Sequence, residues 1–182
     1  MGLFIGLVAA ALVLGILIYN TLVARKNEVK NSLATIDAML KKRFDLLPNL
    51  IATAKESMRF ETSTLEKVIQ LRQSGTPTLP QVQKLDAEST QALRGFMLQV
   101  EAYPDLKSSQ NLVQIQNALQ EVEDQLAAAR RSYNASVTNY NNALEMFPTN
   151  IVAGMLSYQQ AGLLETPEVE KRNVNVAELF KA

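Results

Sequence analysis

The chain of 182 residues contains no histidine and no cysteine. That excludes imidazole acid–base chemistry, histidine-based metal sites, thiol nucleophiles, zinc–thiolate sites and disulfides. Tryptophan is also absent, and aromatics make up only 6 %. There is no net charge, because 18 basic side chains balance 18 acidic ones. Such a chain has no general electrostatic pull toward nucleic acid. The phosphate-binding and nucleophile signatures G-x-x-x-x-G-K-[ST], G-x-G-x-x-G and G-x-S-x-G do not occur. The lack of cysteine suits a reducing or an oxidising compartment and decides neither.

What the sequence has in excess is apolar residues at one end. No charged side chain precedes Arg25, and residues 2–23 include thirteen Leu, Ile, Val or Phe. A bilayer core of about 30 Å needs roughly 20 helical residues at about 1.5 Å each. The thirteen side chains favour insertion by roughly 4–8 kcal/mol, an upper bound because residues near the ends count less. Tyr19 stands where an interfacial anchor would. A cleaved signal peptide would need a basic leader and a shorter apolar run, so an uncleaved transmembrane helix is expected. Arg25, Lys26 and Lys30 follow the run directly. The positive-inside bias then puts the N-terminus outside and the remainder in the cytoplasm. Gly2 with Gly6, Gly6 with Ala10 and Ala11 with Gly15 are small pairs at spacing four. In a span these are either ordinary composition or a helix-contact face for a homo-oligomer.

Beyond the span the apolar period is helical. Val29, Leu33, Ile36, Leu40, Phe44, Leu47, Ile51, Ala54 and Met58 form one stripe continuous with the span. Pro48 predicts a kink near 44–48. It is read as a bend around the core, with a hinge flanked by Asp45 and Asn49 as the alternative. Ser63 and Glu66 match a capping box, while Leu65, Val68 and Ile69 prolong the stripe toward Arg72. Residues 74–80 read as a turn. A second helix is predicted over 81–102, closed by Tyr103-Pro104-Asp105. A third is predicted over 107–147, with Leu112, Ile115, Leu119, Val122, Leu126, Ala129, Tyr133, Val137, Tyr140 and Leu144 inward. Its length is roughly 60 Å. Ile151, Val152, Met155 and Leu156 suggest a short amphipathic helix, and Val174 and Val176 an extended stretch.

The expected fold is therefore all-α. A transmembrane helix (2–23) continues into an elongated antiparallel bundle of three to four helices with coiled-coil seams (24–147). A tail (148–182) packs on the bundle or, alternatively, binds a partner. Glu121, Glu123 and Asp124 are a carboxylate group on the third helix, with Arg130 and Arg131 near. Helical di-iron sites also need histidine, so a solvated charged face is the preferred reading. No catalytic residue, cofactor site or metal site is expected. Lys41-Lys42-Arg43 lies too far from the span to touch lipid along a straight helix, and reads as a charged face or a subunit contact. Tyr133-Asn134 and Tyr140-Asn141 repeat at seven-residue spacing and read as packing specificity.

Four blocks resemble the LemA family of bacterial membrane proteins. They are Tyr19-Asn20-Thr21-Leu22-Val23 with Arg25 and Asn27; Ile36-Asp37 followed by Lys42-Arg43-Phe44-Asp45-Leu46-Leu47-Pro48-Asn49-Leu50; Tyr103-Pro104-Asp105-Leu106-Lys107; and Arg130, Tyr133-Asn134, Tyr140-Asn141 and Phe147-Pro148. Phe44 stands where the family often has Tyr, and the region of Glu61 lacks a His common there. The resemblance implies a transmembrane helix followed by an antiparallel bundle, with no established catalytic residues. In some bacteria the family's gene lies beside that of a membrane-bound heat-shock metalloprotease, and a related protein of magnetic bacteria acts in building magnetosome membranes; the resemblance thus implies membrane scaffolding or envelope maintenance. The expected role is a non-enzymatic, single-pass scaffold at the bacterial inner membrane. The alternative is an accessory partner of a membrane protease in the envelope stress response. The lipid bilayer and further copies of the chain are the expected partners, with another membrane protein as a third.

Overall fold

A computed structural model describes residues 1–57 and 78–165 and is all-α. The helices are α1 (Gly2–Ser57), α2 (Leu79–Val100), α3 (Pro104–Lys107), α4 (Gln110–Glu145) and α5 (Thr149–Met155). The Ser63–Glu66 pattern and residues 166–182, with Val174 and Val176, lie outside the described residues.

Helix α1 is unbroken from the apolar run into the bundle. At about 1.5 Å per residue its 56 residues extend about 84 Å. Pro48 sits inside it without ending it. Its neighbours Leu47, Leu50 and Ile51 are buried, and this packing holds the helix through the missing N–H. Helix α2 begins two residues earlier than the sequence suggests. Pro80 falls in its first turn, where an absent N–H costs nothing. The Thr78 N–H donates to Gln81 Oε1 at 2.7 Å, fixing that start. Tyr103-Pro104-Asp105 ends α2 as expected. Pro104 then opens the one-turn helix α3, so Lys107 belongs there and not to α4.

Helix α4 is the central element, about 54 Å long over 36 residues. It runs antiparallel to α1: Leu144 packs near Leu22, while Lys42 reaches Gln125. It also runs antiparallel to α2: Arg130 meets Asp86, while Gln116 meets Met97. The two flanking helices thus share one direction along α4. The main core joins Ile36, Leu40, Phe44, Leu47, Leu50 and Ile51 of α1 to Val82, Phe96 and Val100 of α2. Leu106 of α3 and Leu112, Leu126, Tyr133 and Val137 of α4 complete it. Apart from Leu50, the α1 and α4 members belong to the stripes read from the sequence. A second, smaller core lies nearer the N-terminus, where Ile18 and Leu22 meet Ala153 of α5.

The α4–α5 corner contains a cis Phe147–Pro148 peptide bond. Helix α5 ends on a left-handed cap. The Ser157 N–H donates to the Gly154 carbonyl and the Tyr158 N–H to the Ala153 carbonyl, both at 3.1 Å. Ser157 has φ 54°, a conformation that normally selects glycine. Ser157→Gly should therefore raise the stability of the protein by up to about 1 kcal/mol. Thermal unfolding followed by far-ultraviolet circular dichroism would read this, and a fall in stability would refute the cap assignment.

Candidate functional site: a buried charge cluster and a tail clamp

Two polar arrangements interrupt the apolar seams. The first is a charge cluster shared by three helices. Arg43 of α1 is 1 % exposed. Its Nη1 donates to Ser89 Oγ at 2.8 Å, Thr90 Oγ1 at 3.1 Å and Asp86 Oδ1 at 3.2 Å. Its Nη2 pairs with Glu123 of α4. Arg130 of α4 approaches both Asp86 oxygens at 2.6 Å and lies 3.9 Å from Glu123. Two guanidinium groups and two carboxylates thus balance in charge. Burial lowers the Arg43 pKa from its ordinary value; Asp86 opposes that shift and Arg130 adds to it. An arginine still keeps its charge at working pH, because its ordinary value is so high.

This placement corrects two expectations. The basic run Lys41-Lys42-Arg43 is not one charged face. Lys41 pairs with Asp37 at 2.6 Å, Lys42 donates to Gln125, and Arg43 turns inward. Nor do the carboxylates of α4 form one solvated group. Glu123 turns to the arginines, Asp124 accepts from Gln120, and Glu121 accepts from Gln125. Arg130 does reach acidic partners, but Asp86 on α2 is the main one. Among the described residues, no three acidic side chains are grouped to hold a metal ion. Lys42, Asp45, Glu121 and Gln125 instead line a shallow groove between α1 and α4.

Sequence reasoning missed Asp86 and Ser89. Their signal is their position in the α2 stripe, where Val82, Asp86, Ser89, Phe96 and Val100 are all buried. A polar residue at a core position of an amphipathic helix needs a partner from another element. Arg43 and Arg130 occupy the matching inward positions of α1 and α4.

The second arrangement is a clamp on the chain that follows α5. Asn134 donates to the Leu164 carbonyl at 3.0 Å and accepts from the Leu164 N–H at 2.8 Å. Asn141 does the same with Ala161, at 3.0 and 2.9 Å. The Tyr133 hydroxyl donates to the Gly162 carbonyl at 2.9 Å, and that of Tyr140 to the Gln159 carbonyl at 3.1 Å. The spacing has a geometric cause. Seven helical residues advance about 10.5 Å. Three extended residues advance about 10 Å. Each step of seven along α4 therefore meets a step of three along the tail. The repeated Tyr-Asn pairs give packing specificity, as expected, but toward an extended segment and not toward a neighbouring helix.

The residues of both arrangements lie inside the region that matches a known family. The LemA family profile matches residues 32–177. The chain belongs to the LemA family. It is similar to Protein LemA of Metamycoplasma hominis, with 30 % identity over 165 residues, covering 88 % of this chain and 74 % of that one. It is also similar to Magnetosome protein MamQ 2 of Paramagnetospirillum magneticum, at 22 % identity over 191 residues, covering 90 % and 70 %. Magnetosome protein MamQ of Magnetospirillum gryphiswaldense is 23 % identical over 170 residues, covering 78 % and 62 %. The LemA match begins downstream of the apolar run and includes Arg43, Asp86, Glu123, Arg130 and the clamp residues.

Two outcomes test these arrangements. Asp86→Ala leaves Arg43 and Arg130 with Glu123 as the one carboxylate between them, and should cost about 3–5 kcal/mol in denaturant unfolding. Replacing Arg43, Asp86 and Arg130 together by Met, Leu and Met should cost much less. Equal losses would refute charge compensation. The second test is alkaline. Burial raises the pKa values of Tyr133 and Tyr140 above their ordinary value, with Tyr158 adding to the shift at Tyr140. The neutral phenols therefore stabilise the fold fully below pH about 10, and this contribution is lost as pH rises through the folded values. Tyrosinate absorbance should show a late-ionising class, and Tyr133→Phe with Tyr140→Phe should remove it.

Proposed function

We propose that this LemA-family chain is a non-enzymatic membrane scaffold. In this reading residues 2–23 span the bacterial inner membrane once, with the N-terminus outside. Residues 24–147 form a cytoplasmic bundle, and residues 148–182 are a tail packing on it. The bundle acts by contact: it associates with further copies and presents its surface to another membrane protein.

The observation that carries the reading is the two-part character of α1. From Gly2 to Leu17 nearly every side chain is exposed although nearly all are apolar, and this part is long and apolar enough to count toward a membrane span. From Ile36 onward the same helix supplies the bundle core. One uninterrupted rod thus couples a lipid-compatible surface to a packed domain without a flexible joint. Arg25, Lys26 and Lys30 support the orientation. Association between copies is supported by the small residues Gly2, Gly6 and Ala10, which recur at spacing four and so lie along one side of the span.

The test uses the full chain in bacterial membranes. Leu7→Arg with Leu12→Arg places two charges in the span, each costing about 2.5–3.5 kcal/mol at its centre. The unaltered protein should remain in the membrane fraction after alkaline carbonate washing, and the double variant should not. Chemical cross-linking in the same membranes should yield multiples of the chain, and Gly6→Ile should reduce them. An unaltered protein that washes free would overturn the anchor, and one that cross-links only as a monomer would overturn self-association.

A further inference from the structure

The α4–α5 corner carries apolar side chains that the bundle does not cover. Met146, Phe147, Ile151 and Met155 are each more than half exposed, with Phe147 at 80 % and Met155 at 82 %. No Asp, Glu, Lys or Arg occurs from Met146 to Leu164, a run of nineteen residues. An amphipathic bundle in water has no use for such a corner, and an exposed apolar patch of this kind needs a partner.

The position of the corner identifies that partner. Ala153 and Val152 of α5 pack on Ile18 and Leu22, which belong to the last turns of the apolar run. The part of α1 that buries no side chain, Gly2–Leu17, is sixteen residues and about 24 Å long. A bilayer core is about 30 Å thick. That part alone therefore leaves about 6 Å of hydrocarbon unspanned. Extending the span to Leu22 brings its length to about 31 Å, and α5 is attached to that added stretch. Charge resumes just beyond, at Arg25 and Lys26. The Lys26 ammonium lies 4.7 Å from the centre of the Tyr158 ring, as a cation and an aromatic at headgroup level would.

We propose that the α4–α5 corner is a second membrane contact: Met146, Phe147, Ile151 and Met155 dip into the acyl boundary of the leaflet where α1 leaves the bilayer. The contact braces the rod at its base. Helix α1 and the corner then enter the lipid together, and the bundle cannot swing freely about a single helix. The partner is phospholipid, recognised by apolar burial beneath a basic fringe.

The inference rests on the membrane reading of α1, and the experiment separates the two. The chain has no tryptophan, so single substitutions make clean reporters in the full-length protein. Phe147→Trp, Leu12→Trp and Tyr103→Trp would each be reconstituted in phosphatidylcholine–phosphatidylglycerol vesicles. The lipids would carry bromine on the acyl chains close to the headgroup, or along their length for Leu12→Trp. Tyr103 lies at the far end of the bundle and is exposed. Leu12→Trp should be quenched by bromine, Tyr103→Trp by aqueous acrylamide, and Phe147→Trp should lose most of its emission to bromine with a blue-shifted maximum. Quenching at Leu12→Trp but acrylamide quenching at Phe147→Trp would overturn this inference alone. A Phe147→Trp shielded from both quenchers would also overturn it, by placing protein over the corner. An unquenched Leu12→Trp would overturn the membrane reading and this inference with it.

Discussion

One carboxylate holds three helices at a single level. Asp86 on α2 stands between Arg43 of α1 and Arg130 of α4, and both arginines are buried. A buried charge pair of this kind adds little net stability compared with apolar packing. What it adds is alignment. A seam of leucines and isoleucines can slide by one turn at modest cost, because one apolar residue substitutes for another. A guanidinium that slides by one turn loses its carboxylate inside a medium of low polarity. The cluster therefore fixes the register of the two seams along α4, and the cores on either side of it inherit that register.

The clamp on α4 works by a related rule. An extended segment laid on a helix must satisfy backbone groups that neither element pairs by itself. The side-chain amides of Asn134 and Asn141 do this because each offers one donor and one acceptor to a single residue of the tail. The tyrosines beside them cap two further carbonyls. Ser157, Tyr158 and the residues after them are thus led from the α5 corner along α4, and α5 is pulled against Ile18 and Leu22. The charge cluster sets the register of the bundle, and the clamp sets where its corner meets the apolar part of α1.

The helices were legible because burial imposes a period. The stripes from Val29 to Ile51 and from Leu112 to Tyr140 follow the turn of an α-helix, and the structure buries most of their members. The short helix at 149–155 was legible from four apolar residues. The details that failed were local. Pro80 was read as part of a turn when it sits in a first helical turn, and α3 was hidden inside what looked like a terminator. Both errors come from proline, which ends one helix and opens the next with the same chemistry.

Sequence alone determined the apolar run, the all-α class and the family, because each depends only on the order of residues along the chain. It also determined that Tyr133, Asn134, Tyr140 and Asn141 share a direction. Only the tertiary structure decided what they face, which of three adjacent basic residues turns inward, and that Asp86 is the partner of two arginines. Those outcomes depend on residues nineteen or more positions apart, and more than forty for Asp86 and its arginines. No period along a single helix specifies which polar side chain of a distant one arrives opposite it; that is set by how the helices pack.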